Sequence, residues 1–200
     1  MMFRPIVLAL VIFAAFPLLV AFLKMPLLGF LALWSVVVYW VFRHPVSVAW
    51  PERRQLRPVL MRTIIVGVLL TASLWGLRPE YLLAFPVQMP ERYALVMLAY
   101  PFLSVVPQEI LFRSVFWHLF PDISGRARIF WSAAAFAVAH SIFLNPAAIV
   151  LSFFGGLLLA RTYERHRHLG LVCLEHTFYG WLVFTIGWGI YFYHGAAGMG

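Results

Sequence analysis

The sequence predicts an all-α fold, a polytopic transmembrane helix bundle that forms a single integral membrane domain over residues 1–200. Composition is the first reason: hydrophobic residues make up 64% of the chain and charged residues 11%. Soluble domains contain roughly 45–50% apolar and about 25% charged residues. The second reason is that the apolar residues form runs separated by short, arginine-containing segments. A water-soluble chain of this length cannot bury so much apolar surface, so the soluble classes are excluded.

The apolar runs define the predicted spans. The first run, 6–23, follows Arg4 and lacks the small-residue cleavage site of a signal peptide. The later runs cover 27–42, 63–77, 93–107 continuing toward 120, 129–144, 147–160 and 169–193. Several of them are shorter than the roughly 20 residues of a full span. We therefore predict seven spans, or eight if the last run holds two broken helices.

Basic residues indicate the orientation. Of the 15 lysines and arginines, 11 fall in one set of alternate loops, and only Lys24, Arg78 and Arg92 fall in the other. The richer side is cytoplasmic under the positive-inside rule, which predicts a cytoplasmic N-terminus. The net charge of +8 is thus explained by topology signals and contacts with lipid headgroups, and nucleic-acid binding is not needed to explain it. A single lysine beside 14 arginines is typical of a GC-rich bacterial genome, so the bacterial inner membrane is expected.

Proline-rich segments join several of the spans. Segment 44–62 contains Pro45, Pro51 and Pro58 and is predicted to be a cytoplasmic loop on anionic headgroups. Segment 78–92 is predicted to be an outer loop. The glycine-rich tail from His194 is expected to fray.

The ionisable side chains of interest inside the apolar runs are Glu109, Arg113, His140 and His176. Each costs roughly 2.5 to 3.5 kcal/mol at membrane depth, and such residues usually face a polar interior with a function. Glu109 and Arg113 are four residues apart, so on a helix they share a face and can form an ion pair. The spacing predicts a functional cluster, although a buried pair that only fixes helix register gives the same spacing.

Two reaction-competent assemblies follow from these residue types. In one, Glu109, His140 and His176 hold a zinc ion. In the other, no metal is present: Glu109 and His140 activate water, and His176 stabilises the oxyanion. The ligand spacing does not decide between them. Glu175 precedes His176 near the cytoplasmic end of its helix, where the carboxylate is expected to reach water.

At these residues the chain resembles the CPBP family of intramembrane proteases, the CAAX prenyl endopeptidases and bacteriocin-processing enzymes. That family shows Glu-Glu-x-x-x-Arg, then Phe-x-x-x-His, a glycine-containing helix and His-x-x-x-Asn. The corresponding pieces here are Gln108-Glu109-x-x-x-Arg113, Phe136-x-x-x-His140, Gly155-Gly156 with the basic turn after it, and His176-x-x-x-Gly180. The resemblance covers roughly residues 98–190, which we expect to carry the catalytic core.

The resemblance implies a glutamate-dependent intramembrane endopeptidase. We expect no cofactor, and the zinc assembly stays the open alternative. His140 would orient water, His176 would stabilise the oxyanion, and Arg113 would brace the glutamate helix. Gln108 stands where the family has its first glutamate, so Glu109 has to take over the role of base. Adjacent helical residues point about 100° apart, so this requires a distorted helix near Pro107.

Gly180 is the second departure, because the family has asparagine there. Backbone donors, Tyr179 or Asn145 are the candidates for its replacement.

Three functions stay open at this stage. The first is hydrolysis of a membrane-anchored protein or peptide, such as a leader or signalling peptide. Gln108 and Gly180 favour the second, a catalytically degenerate binding or immunity protein of the same fold. The third is a small transporter in which the buried ionisable groups relay protons.

Overall fold

The computed structural model describes residues 11–23, 26–43 and 50–192. All secondary structure within these residues is helical, as the sequence predicted. The chain divides into two compact units. Of the described residues, unit 1 contains 11–23, 26–43 and 107–169, and unit 2 contains 50–106 and 170–192. The single domain over 1–200 stays a prediction. Arg4, Lys24, segment 44–49 and the tail from His194 lie outside the described residues.

Ten α-helices, interrupted by short π and 3-10 segments, form the described chain. The α-helices are α1 (Phe16–Leu23), α2 (Pro26–Arg43), α3 (Arg53–Leu77), α4 (Ala84–Gln88), α5 (Pro90–Tyr100), α6 (Val106–Glu109), α7 (Phe116–Leu119), α8 (Gly125–Ala139), α9 (Pro146–His166) and α10 (Leu169–Ile186). The π segments are Val11–Ala15, Pro101–Val105 and Ile110–Val115, and the 3-10 segments are Pro79–Tyr81, His140–Phe143 and Trp188–Tyr191.

Four helical stretches in the described part of the chain are long and apolar enough to cross a membrane: Arg53–Leu77, Pro90–Leu119, Pro146–His166 and Leu169–Ile186. Large apolar side chains on α3 face outward, including Ile64, which is 66% exposed, as suits contact with lipid. The polytopic, all-helical class is therefore confirmed. The count of seven or eight spans and the orientation stay predictions.

Helix α3 begins well before the apolar run that predicted it. The loop predicted over 44–62 is wrong from Arg53 onward, because Glu52 and Gln55 start the helix there. The Gln55 side chain accepts a hydrogen bond from the Glu52 backbone N–H at 2.9 Å, and the Leu56 N–H donates to the Glu52 carbonyl at 3.3 Å. Such bonds satisfy backbone groups at a helix start. Pro58 is accommodated inside α3.

In unit 1, α8 packs against α9 at a glycine. A Cβ added to Gly156 would lie 3.1 Å from Ala133 Cα and 3.3 Å from the Phe136 ring. Small residues allow this close approach of two helices in a membrane protein. The contact holds the α8 face that carries Phe136 against α9, and His140 follows at the end of α8.

The stretch Pro90–Leu119 changes its helical winding on both sides of Glu109. Helix α6 is a single turn between the π segments Pro101–Val105 and Ile110–Val115. Pro107 removes one backbone donor inside this region. If Glu109 replaces the missing glutamate as the base, the helix around it has to be distorted, and the two π segments are such a distortion. Segments of π-helix are also frequent at functional sites.

Candidate active site

Glu109 and Arg113 form a fully buried ion pair in unit 1. Both side chains have no exposed surface, and Nε of Arg113 lies 3.0 Å from Oε2 of Glu109. This confirms the pairing that the four-residue spacing predicted. Away from water, the guanidinium compensates the charge of the carboxylate, because an isolated buried charge is costly.

Arg113 is itself held by hydrogen bonds. Its Nη1 donates to Ser132 Oγ at 2.7 Å and to the Phe112 carbonyl at 3.0 Å. The Ser132 hydroxyl donates to the same carbonyl at 2.8 Å. Since Ser132 lies on α8, this group ties the glutamate segment to the helix that ends before His140.

Phe136 links the arginine to the histidine. The Arg113 guanidinium carbon lies 5.6 Å from the centre of the Phe136 ring, and that ring lies 4.4 Å from the His140 ring. Nδ1 of His140 is 2.7 Å from the Phe136 carbonyl oxygen. His140 is partly exposed, whereas Glu109 is fully buried. Glu109, Arg113 and His140 are therefore connected within one compact unit through named contacts.

Asn145 has a structural position at the start of α9. Its Oδ1 accepts from the Ala148 backbone N–H at 2.8 Å, and its Nδ2 donates to the Phe143 carbonyl at 3.2 Å. It caps the helix directly after Leu144, which adopts the left-handed conformation at φ 56°. Both ends of the Asn145 amide thus hold the turn that follows His140.

His176 lies on α10 in unit 2 and is 6% exposed. The Tyr100 ring meets it edge to face, with ring centroids 5.9 Å apart. A Cβ added to Gly180, one turn later on α10, would overlap the ring end of Tyr100. Tyr100 is a site neighbour that the sequence reasoning missed, because an aromatic residue in an apolar run is ordinary.

Glu175 is buried, and the expectation that it reaches water is wrong. It has no exposed surface, and its Oε1 lies 3.0 Å from Nη2 of Arg62. The Tyr179 hydroxyl donates to the same oxygen at 2.7 Å. Tyr179, a candidate oxyanion donor from the sequence, therefore uses its hydrogen here. An arginine on α3 compensates the charge of Glu175, which explains how the carboxylate is tolerated away from water.

Gln108 is partly buried beside Glu109. Its amide cannot act as a proton acceptor in the way a carboxylate does. Within the ranges 11–23, 26–43 and 50–192, no group of three His, Cys, Asp or Glu side chains is placed to hold a metal ion. The metal-free site stays a prediction, as do the catalytic roles of Glu109, Arg113, His140 and His176.

One comparison with known proteins gives a match. Residues 90–182 match the family described as type II CAAX prenyl endopeptidase Rce1-like. Neither the curated proteins nor the solved structures give a match. The family match confirms the resemblance predicted from the ordered motifs. Together with the apolar helices, it indicates an integral membrane protein whose residues 90–182 are similar to CAAX-type proteases.

Proposed function

We propose that this protein is a glutamic-type intramembrane endopeptidase that hydrolyses a peptide bond in a membrane-anchored protein or peptide. The observation that carries the proposal is the buried Glu109–Arg113 pair, connected through Phe136 to His140. A carboxylate inside an apolar segment is a candidate proton acceptor. The similarity of residues 90–182 to CAAX-type endopeptidases supports the same class.

The proposed reaction uses one water molecule. Glu109 and His140 take a proton from the water while its oxygen bonds to the carbonyl carbon of the substrate. The electron pair of the C=O π bond moves to oxygen, and His176 stabilises the resulting oxyanion. The C=O bond then re-forms, the C–N bond breaks, and the leaving nitrogen receives the proton. Arg113 orients Glu109 through their ion pair and exchanges no proton.

The proposed setting is the bacterial inner membrane with a cytoplasmic N-terminus. The proposed substrate class is a leader peptide, a sorting signal or a signalling peptide rather than a prenylated protein, because 14 arginines against one lysine favour a bacterial source. We expect no cofactor. Metal analysis of the active protein, with activity measured before and after chelation, tests this expectation against the zinc assembly.

The decisive experiment compares carboxylate variants of the full chain in detergent on membrane-tethered peptides. Glu109→Gln is expected to abolish cleavage, whereas Glu91→Gln, which removes an exposed carboxylate from the same helical stretch, is expected to leave it unchanged. Gln108→Glu tests whether a carboxylate at the preceding position adds activity. Equal cleavage by the wild type and Glu109→Gln would refute the mechanism.

A degenerate binding or immunity protein is the second candidate. The complete burial of Glu109 against Arg113 favours it, since a carboxylate held in this way is closed to substrate in this conformation. This candidate predicts that peptide binding and any cellular phenotype survive Glu109→Gln, His140→Ala and His176→Ala. The endopeptidase predicts that all three variants lose the phenotype.

A further inference from the structure

Gly180 and Tyr100 fit together in unit 2. A Cβ at position 180 would overlap the Cε1, Cζ and Oη atoms of Tyr100. Real side chains do not approach so closely, so the ring in this position requires glycine. The hydroxyl end of Tyr100 therefore occupies the space where a side chain at position 180 would begin.

The same space adjoins His176. Residues 176 and 180 are one turn apart, so they share a face of α10. The Tyr100 ring covers this face, edge to face with the His176 ring at 5.9 Å. Tyr100 also contacts Phe184, one turn further along α10, with ring centroids 5.5 Å apart.

Contacts made by α5 residues that precede Tyr100 fix α5 along α10. The Tyr93 and Thr185 hydroxyls are 2.8 Å apart, and the Trp181 indole N–H donates to the Met97 carbonyl at 3.0 Å. The position of the Tyr100 ring is thus set by several cross-helix contacts. A donor that stabilises developing charge has to be held in place in this way before the reaction begins.

We propose that the Tyr100 hydroxyl is the second oxyanion donor, acting beside His176 in the place that a side chain at position 180 would take. This inference rests on the proposed endopeptidase function. When water adds to the substrate carbonyl, the oxygen that gains the electron pair accepts hydrogen bonds from His176 and from the phenol O–H. The hydroxyl keeps its proton throughout, so the balance of the hydrolysis is unchanged.

The test removes one oxygen atom. Tyr100→Phe keeps the ring against Gly180 and His176 but deletes the donor. Loss of an oxyanion donor typically lowers kcat by about 10²–10³-fold, and we expect this loss with little change in KM. Tyr81→Phe is the control, because it deletes a phenol hydroxyl of the same unit that accepts a hydrogen bond from Arg78 and that does not set the position of α5 against α10. Its kcat is expected to equal that of the wild type.

A phosphinate analogue of the cleaved peptide gives a second readout. Its tetrahedral oxyanion resembles the transition state, and such analogues report transition-state contacts rather than ground-state contacts. Tyr100→Phe is expected to weaken analogue inhibition by the same factor as it lowers kcat/KM. A merely structural role would weaken binding of substrate and analogue alike.

A double variant that exchanges the large and small residues tests whether Tyr100 fills the space of a side chain at position 180. Tyr100→Ala removes both ring and donor, and Gly180→Asn in the same chain supplies an amide donor where the ring had been. Partial recovery of the kcat lost in Tyr100→Ala is expected in the double variant. Gly180→Asn alone is expected to be impaired, because its Cβ meets the Tyr100 ring.

The outcomes separate this inference from the function on which it rests. Suppose Glu109→Gln abolishes cleavage while Tyr100→Phe stays within about twofold of the wild-type kcat. The inference then falls and the proposed function stands. If the wild type and Glu109→Gln cleave equally, or the wild type does not cleave, both fall.

Discussion

Nδ1 of His140 lies 2.7 Å from the backbone carbonyl oxygen of Phe136, four residues earlier in the chain. A carbonyl oxygen only accepts hydrogen bonds, so Nδ1 carries the proton. The neutral ring then has its lone pair on Nε2, the nitrogen that a general base would use. This bond also fixes the plane of the imidazole at the end of α8.

The His140 tautomer gives the first prediction. Asparagine at position 140 keeps an N–H near the place of Nδ1 but has no equivalent of Nε2. His140→Asn is therefore expected to lose activity as completely as His140→Ala. It is expected to retain about 0.5–1.5 kcal/mol more stability than His140→Ala, the usual value of one hydrogen bond.

Steady-state cleavage and unfolding in mixed detergent measure the two effects. His118→Asn is the control, because His118 is exposed and contacts the Trp40 ring. Substantial activity in His140→Asn would show that Nε2 has no role in the chemistry.

The second prediction concerns the Glu109–Arg113 pair. Arg113→Met leaves Glu109 buried without this ion pair, and breaking a buried pair costs about 3–5 kcal/mol of unfolding free energy. Arg113→Met combined with Glu109→Gln is expected to be more stable than Arg113→Met alone, because no buried charge is left uncompensated. Unfolding titrations measure both variants.

Arg128→Met is the matched control on α8. Nη2 of Arg128 is 3.8 Å from Glu164, and Glu164 keeps its ion pair with Arg167 at 3.0 Å after the change. A smaller loss of stability is therefore expected. A double variant no more stable than Arg113→Met would contradict the charge-compensation argument.

The sequence predicts the helices better than their ends. Hydropathy locates the apolar part of α3 but misses its start, because the bond between Glu52 and Gln55 is local and lies outside the apolar run. The pairing of Glu109 with Arg113 follows from helical spacing and is confirmed. The π segments on either side of Glu109 could not be predicted from hydrophobic periodicity, because that method assumes the same number of residues per turn along the whole helix.

The partners of polar residues are the least predictable part of the site. The sequence predicts Glu175 in water because distance along the chain from a loop does not reveal what another helix places beside it. Arg62 on α3 is that neighbour, although it is remote from Glu175 in the sequence. From the sequence, Gly180 is notable only because the similar family has asparagine at this position. Its relation to Tyr100 depends on the packing of α5 against α10, and a sequence pattern does not contain it.

The third prediction tests the interaction of the partly exposed Arg62 with the buried Glu175, which also accepts from Tyr179. Glu175 accepts from the Tyr179 hydroxyl and pairs with Arg62, and its own side chain is fully buried. A double-mutant cycle with Arg62→Gln and Glu175→Gln is expected to show a coupling energy of about 0.5–3 kcal/mol. Unfolding of the two single variants and the double variant gives this energy.

The matched cycle uses Arg78 and Glu80, whose side chains are 2.6 Å apart but exposed. Exposed pairs are screened by solvent, so no measurable coupling is expected there. Equal coupling in the two cycles would argue against an energetic role for the burial of Glu175.

The last prediction compares two adjacent glycines on α9. A Cβ at Gly156 meets the backbone of Ala133 at 3.1 Å and the Phe136 ring at 3.3 Å. A Cβ at Gly155 meets no atom of the described residues within 4 Å. Both changes to alanine gain helix propensity of about 0.5–1 kcal/mol. Gly155→Ala is therefore expected to be neutral or stabilising, and Gly156→Ala to lose about 1–3 kcal/mol through overpacking.

Activity gives a second contrast between the same variants. Phe136 carries the carbonyl that fixes His140, so displacement of its ring by Gly156→Ala is expected to lower kcat as well. Gly155→Ala is expected to keep wild-type kcat. Thermal or detergent unfolding and peptide cleavage, measured on both proteins, decide the point. If Gly156→Ala matches Gly155→Ala in both measurements, the close approach of α8 and α9 at Ala133 does not position His140.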